Sequence, residues 1–209
     1  EIVIGLPDEK LAPQIERVLV QEGINSRYVE AKRLKETGPY RLLQVAADYA
    51  VRGRFRDLAA LARHPDVYAW LLGNLREGGH PPSALLAALD NFAADRLPAR
   101  IDAERLEKDA DLAEVRAVYS AIDYLLKPLV QPAQPLAAWV RPFRELLLRI
   151  YGSRELDRNK PDDRYLVEAL EWTSAALATL AEVPPDLQPA VDAREAARVV
   201  LDALSGKSI

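Results

Sequence analysis

The chain has 209 residues, 49% hydrophobic and 29% charged, with a formal net charge of −4, enough apolar material for a sizeable core and no global electrostatic case for nucleic-acid binding. Cys 0 excludes a disulfide framework, a thiolate nucleophile and a cysteine zinc site, and His 2 leaves too few imidazoles for a histidine-built metal centre. No apolar run approaches the roughly 20 residues that span a bilayer, and no charged n-region precedes an apolar stretch, so a cytoplasmic protein without membrane partners is expected.

The chain opens on Ile2, Val3, Ile4 and Leu6, the continuous β-branched pattern of a strand buried on both faces. Pro7, Asp8 and Glu9 end it and place carboxylates at the mouth of a helix, where the macrodipole favours them. Leu11, Ile15, Val18 and Leu19 give that helix one apolar face, Pro13 suits its first turn, and Gly23 suits a left-handed stop with Ile24 folding back. Residues 27–32 alternate as a second strand. Strand, helix, strand makes a βαβ unit, whose two parallel strands form an incomplete sheet when only helices follow. With Met 0 and a strand at the very start, the sequence is expected to be a piece excised from a longer protein.

From Lys35 onward the pattern is helical. Leu42, Leu43, Ala46 and Tyr49 share one face before Arg52, Gly53 and Arg54 break it, and Phe55, Leu58 and Ala62 make a short face ended by His64 and Pro65. Asp66 is expected to cap a helix carrying Val67, Trp70, Leu71 and Leu75, and Ser83 one carrying Leu85, Leu86, Leu89 and Phe92. Residues 98–110 read as irregular and charged, a natural sub-boundary. Further stripes follow over Leu112, Val115, Ile122 and Leu126, over Trp139, Phe143, Leu146 and Ile150, over Leu166, Leu170, Thr173 and Leu177, and over Ala196, Val200 and Leu204. Proline-rich connectors separate them at 128–135 and 184–189, and no fixed period argues for a solenoid.

Two constellations could carry chemistry. Pro7-Asp8 with Glu30-Ala31-Lys32 has the form of a PD-(D/E)xK nuclease site, in which two carboxylates hold Mg²⁺ and the lysine positions the attacking water. Such sites usually occupy an antiparallel hairpin, whereas a helix intervenes here, and helix capping is the simpler role for Asp8. The run Arg52, Gly53, Arg54, Phe55, Arg56, with Arg63 one short helix later, is a basic cluster with an interleaved aromatic that could hold phosphates, or a solvated turn around a core Phe55. His64 before Pro65 reads as a helix-terminus residue rather than a base. The closing Ser205-Gly206-Lys207-Ser208 lacks the earlier glycine of a P-loop, and no G-x-S-x-G elbow is present.

The run 1–72 resembles the B-subunit type of ATP-dependent helicase/nuclease, the AddB-like proteins of the PD-(D/E)xK nuclease family. The residues that carry the resemblance are Gly5, Pro7, Asp8 and Glu9; Gly23 and Ile24; Thr37, Pro39, Arg41 and Leu42; and Leu61, Arg63, His64, Pro65 and Val67. Residues 73–209 match only in being helical. The resemblance implies that 1–34 is a βαβ piece of a RecA-like motor domain and 35–209 a helical accessory subdomain, lacking the Walker A loop and the nuclease site of the parent protein. The expected fold is mainly α, a multi-helix domain with a small N-terminal βαβ element. The expected function is a non-catalytic accessory module of a DNA-repair helicase/nuclease, touching DNA phosphates through Arg52, Arg54, Arg56 and Arg63, or contacting other domains of the polypeptide or a partner subunit. ATP and Mg²⁺ are implied only for the parent, with no cofactor or metal in this piece. The alternatives are a Mg²⁺-dependent nuclease using Asp8, Glu30 and Lys32, and a helical protein–protein interaction domain with no DNA role.

Overall fold

Where apolar residues recur at three-and-four spacing, the computed structural model places helices; it describes residues 4–6, 8–24, 26, 33–75, 82–184 and 187–208. Among those residues the helices are α1 (Ala12–Gln21), α2 (Gly38–Arg52), α3 (Phe55–Ala62), α4 (Pro65–Leu75), α5 (Pro82–Arg96), α6 (Ala103–Lys108), α7 (Ala113–Leu126), α8 (Val140–Tyr151), α9 (Pro161–Ala181) and α10 (Ala193–Ser205). The fold is mainly helical. The chain divides into two compact units, Glu1–Lys32 and Arg33–Lys207.

In the first unit α1 has a built start and stop. The Lys10 amide donates to Asp8 Oδ1 at 3.0 Å, and the Leu11 amide donates to the Asp8 carbonyl, so Asp8 closes the 3-10 turn that leads into the helix. At the far end Gly23 takes φ +72°. The Ile24 amide then reaches back to the Leu19 carbonyl at 2.8 Å, the long bond of a Schellman stop. The parallel βαβ arrangement is not supported. Ile4, Gly5 and Leu6 join no strand, and residues 2, 3 and 27–32 lie outside the described residues. Ile4, Val18 and Val20 are each more than half exposed, so the described part of this unit lacks the buried apolar layer that a parallel sheet needs.

The sheet found among the described residues lies in the second unit: β1 (Gln134–Pro135) pairs antiparallel with β2 (Ala190–Val191), Gln134 opposite Val191. It joins the two proline-rich connectors. The Trp139 indole is fully buried and donates to the Val191 carbonyl at 2.9 Å, while the Ala137 amide donates to Gln188 Oε1 at 2.7 Å.

The rest of the second unit is built by burial. α2 packs along α10 and against α3 and α9, α5 packs on α7, and α8 on α9. Ala46 and Ala47 on α2 meet a helix whose buried face includes Ala193, Ala196 and Ala197, and such small side chains let two helices approach closely. Leu42, Leu43, Leu58, Leu61, Leu85, Leu89, Ile122 and Phe143 fill the core. Each contributes on the order of 1.5–3 kcal/mol by leaving water. The segment expected to be irregular contains α6, which Asp102 starts by accepting the Arg105 amide on Oδ1 at 3.2 Å.

α5 ends in an unusual way. Pro98 bars a right-handed helical conformation at the preceding residue, and Leu97 turns the chain through φ +43° with its amide on the Ala93 carbonyl at 3.0 Å. A left-handed leucine is strained where glycine is not, and this one is also 86% exposed, so its side chain returns nothing by burial. Replacing Leu97 by Gly is therefore expected to raise stability by about 0.5–1 kcal/mol, read as a higher urea midpoint with an unchanged slope.

Candidate nucleic-acid interface

Of the four arginines singled out from the sequence, Arg54 and Arg56 line one groove, and Arg52 and Arg63 are not among its lining residues. Arg52 ends α2 with Nη2 3.6 Å from Asp48 Oδ1. The same oxygen takes Nε of Arg194 on α10 at 2.8 Å, which links α2 to α10. Arg63 closes α3: its Nη1 donates to the Ala59 carbonyl at 2.8 Å, and its Nη2 pairs with Asp90 on α5. Arg52 thus pairs within its own helix, and Arg63 links α3 to α5.

Arg54 and Arg56 are placed differently. Gly53 takes φ +59° and receives the stop of α2, which turns the chain so that Arg54 becomes the residue before α3. Phe55 between them is buried, its ring 5.4 Å from that of Phe92, and its amide donates to the Ala99 carbonyl at 3.0 Å. With Phe55 pointing inward, Arg54 and Arg56 are exposed. They line one open, shallow groove with Pro98, Ala99 and Arg100. Among the described residues neither Arg54 nor Arg100 has a carboxylate within ion-pair distance, and Arg56 has only Asp57, at 3.5 Å. Asp57 sits in the first turn of α3, where the helix dipole favours a carboxylate. It faces inward, with Oδ2 buried and, among the described residues, without a hydrogen-bond partner.

Arg100 lies in the segment read from the sequence as an irregular charged boundary, and its distance along the chain from Arg54 hid the third member of the groove. The only local signal was Leu97-Pro98, which forces α5 to end and the chain to turn back.

A second cluster is half-buried and structural. Asp66 does not cap its own helix: its Oδ2 accepts from the Tyr151 hydroxyl at 2.8 Å, and Oδ1 lies 2.8 Å from Arg154 Nη2. Arg154 also lies over the Tyr151 ring, 5.1 Å from its centroid. Burial first, and then the Asp66 charge, push the Tyr151 hydroxyl far above its ordinary value, so it stays protonated as the donor. His64 Nδ1 accepts the Asp66 amide at 3.3 Å, which leaves Nε2–H for the Gly38 carbonyl at 3.2 Å. Burial holds that imidazole below its ordinary value of 6.5, with Arg41 and Arg154 acting in the same direction and Asp66 and the Gly38 hydrogen bond opposing. A Cβ at Gly38 would run into Asp66 Oδ2 and come within 3.1 Å of the Tyr151 hydroxyl.

Of the nuclease constellation, Asp8 is exposed and serves the start of α1, while Glu30 and Lys32 lie outside the described residues. Among the described residues no three Asp, Glu or His side chains gather as metal ligands.

Tyr151→Phe leaves one oxygen of Asp66 without its donor and is expected to cost about 1–3 kcal/mol, measured by urea unfolding; Gly38→Ala should destabilise as well, because the carboxylate must shift. For His64 the depressed folded pKa means that the unfolded chain binds the proton more readily. Its contribution is therefore complete above pH 6.5 and is lost as pH falls from there toward the folded value. His64→Gln, which keeps a donor for Gly38, should flatten that acid limb when unfolding free energies at about pH 5 and about pH 7.5 are compared.

Comparison with known protein families, with curated proteins and with solved structures finds no match to this chain.

Proposed function

We propose that the chain is a non-catalytic accessory module whose helical unit holds the phosphate backbone of DNA in the groove of Arg54, Arg56 and Arg100. The convergence of these three exposed guanidiniums on one open groove carries the reading. Guanidinium forks match phosphate oxygens in a bidentate manner. A groove without a recognition helix or a set of base-reading side chains suits backbone contact, which is independent of sequence. The resemblance to AddB-like proteins supplies the context: a cytoplasmic DNA-repair helicase/nuclease, with other domains of the same polypeptide or a partner subunit as neighbours. In that context residues 1–34 would belong to the edge of the motor domain. ATP and Mg²⁺ would be bound elsewhere in the parent protein. Arg52 and Arg63, named with the other two from the sequence, face the carboxylates of Asp48 and Asp90.

The rival class is a helical protein–protein interaction domain with no DNA role, and DNA affinity separates the two. Fluorescence anisotropy with a labelled duplex at low salt should show binding whose logarithm falls with log salt at a slope of about −2.7, for three phosphates neutralised. Arg54→Glu combined with Arg100→Glu should weaken it by about tenfold or more, while Arg52→Ala and Arg63→Ala should each stay within about twofold. Absent binding at low salt, or equal binding by wild type and the double variant, overturns the proposal.

A further inference from the structure

Resting on the DNA reading above, we infer that Leu97 is an apolar wedge that packs on an unstacked base, so that the groove favours DNA whose stacking is interrupted over a continuous duplex. Leu97 combines two features at the stop of α5. Its backbone is in the left-handed region, and its side chain is 86% exposed. Glycine would satisfy the same helix stop without strain, and any polar residue would spare the exposed apolar surface. Strain retained at an exposed position points to a role outside the fold. The residue immediately precedes Pro98, Ala99 and Arg100, which form one wall of the arginine groove. That wall is held firm: the Ala99 carbonyl accepts the Phe55 amide at 3.0 Å. On the other side of Leu97, Arg96 is fixed to Asp109 at 2.8 Å and lies over the Phe92 ring, 5.7 Å from its centroid. Leu97 therefore projects from a braced turn rather than from a loose loop.

The kind of DNA follows from magnitudes. Aliphatic wedges are inserted between base steps by proteins that kink DNA, but opening an intact step is costly and is offset there by wrapping a large surface. A lone leucine beside a three-arginine groove has no such surface, and burying one side chain recovers too little to break a stacked pair. A base whose stacking is already broken, at a gap or a mismatch, demands no unstacking. It offers an apolar face to Leu97 while the neighbouring phosphates lie on Arg54, Arg56 and Arg100.

The experiment compares the full chain, Leu97→Gly, Leu97→Ser and Arg54→Glu/Arg100→Glu on two labelled probes: a continuous duplex, and the same duplex interrupted by a short gap. Wild type should bind the gapped probe about fivefold or more tightly than the continuous one. Both Leu97 variants should bring that ratio close to one while leaving affinity for the continuous duplex unchanged. A preference that survives in the Leu97 variants, or is absent from wild type while duplex binding persists, overturns the wedge and leaves the groove standing. Loss of all DNA binding in wild type overturns the groove itself. Leu97→Gly relieves backbone strain, so a folding defect cannot account for its loss of preference, and circular dichroism of both variants checks this directly.

Discussion

The carboxylate of Asp66 is the fixed point from which the second unit takes its register. Burial of leucine and alanine faces drives helices together, but it is non-directional and tolerates sliding and rotation. Asp66 removes that freedom. It accepts from Tyr151 at the end of α8, pairs with Arg154 just beyond, and sits so close to Gly38 that a side chain at the start of α2 would displace it. His64 covers the other side, locked between the Asp66 amide and the Gly38 carbonyl. An inward carboxylate is costly when any partner leaves it, so a shift of α2, α4 or α8 is resisted by groups on all three.

From that anchor the position of the arginine groove follows through α2. The helix starts at Gly38, is held along α10 by close alanine packing and the Arg194–Asp48 pair, and stops at Gly53. The left-handed turn at Gly53 delivers Arg54, and the burial of Phe55 then dictates that Arg54 and Arg56 face outward on either side of it. The Phe55 amide, in turn, fixes the wall that carries Arg100. The backbones of the three groove arginines are thus set by one core aromatic, although their side chains remain in water. A ligand held there would order side chains only, not loops, which lowers the entropic cost of binding.

The sequence shows the helices through three-and-four spacing, and it shows the stops at Gly23 and Gly53 because a left-handed residue there favours glycine. It misleads where the partner is far along the chain. Asp66 has the local look of a helix cap, yet Tyr151 stands 85 residues away. Arg63 looks free in the run until Asp90 is brought against it by the packing of α3 near α5. Arg100 shares no local pattern with Arg54, and the Phe55–Ala99 hydrogen bond brings their segments together. The strands β1 and β2 are two residues each, and β1 contains a proline, so both are too short for any alternation to register. α6 was hidden by its charge, although Asp102 three residues before Arg105 has the spacing of a cap.

Net charge is likewise a poor guide to what this surface can hold. The total of −4 counts carboxylates that are already opposite cations: Asp48 with Arg52 and Arg194, Asp66 with Arg154, Asp90 with Arg63, Asp109 with Arg96, and Glu145 with Arg149. Such pairs cancel at short range, and beyond a Debye length of about 8–10 Å at physiological salt their remaining field is screened. The potential in the groove is then decided by the charges that line it and by Asp57. That carboxylate faces the first turn of α3, with its side chain 14% exposed. It tempers Arg56, but its Oδ2 is buried and Asp57 is not among the residues lining the groove.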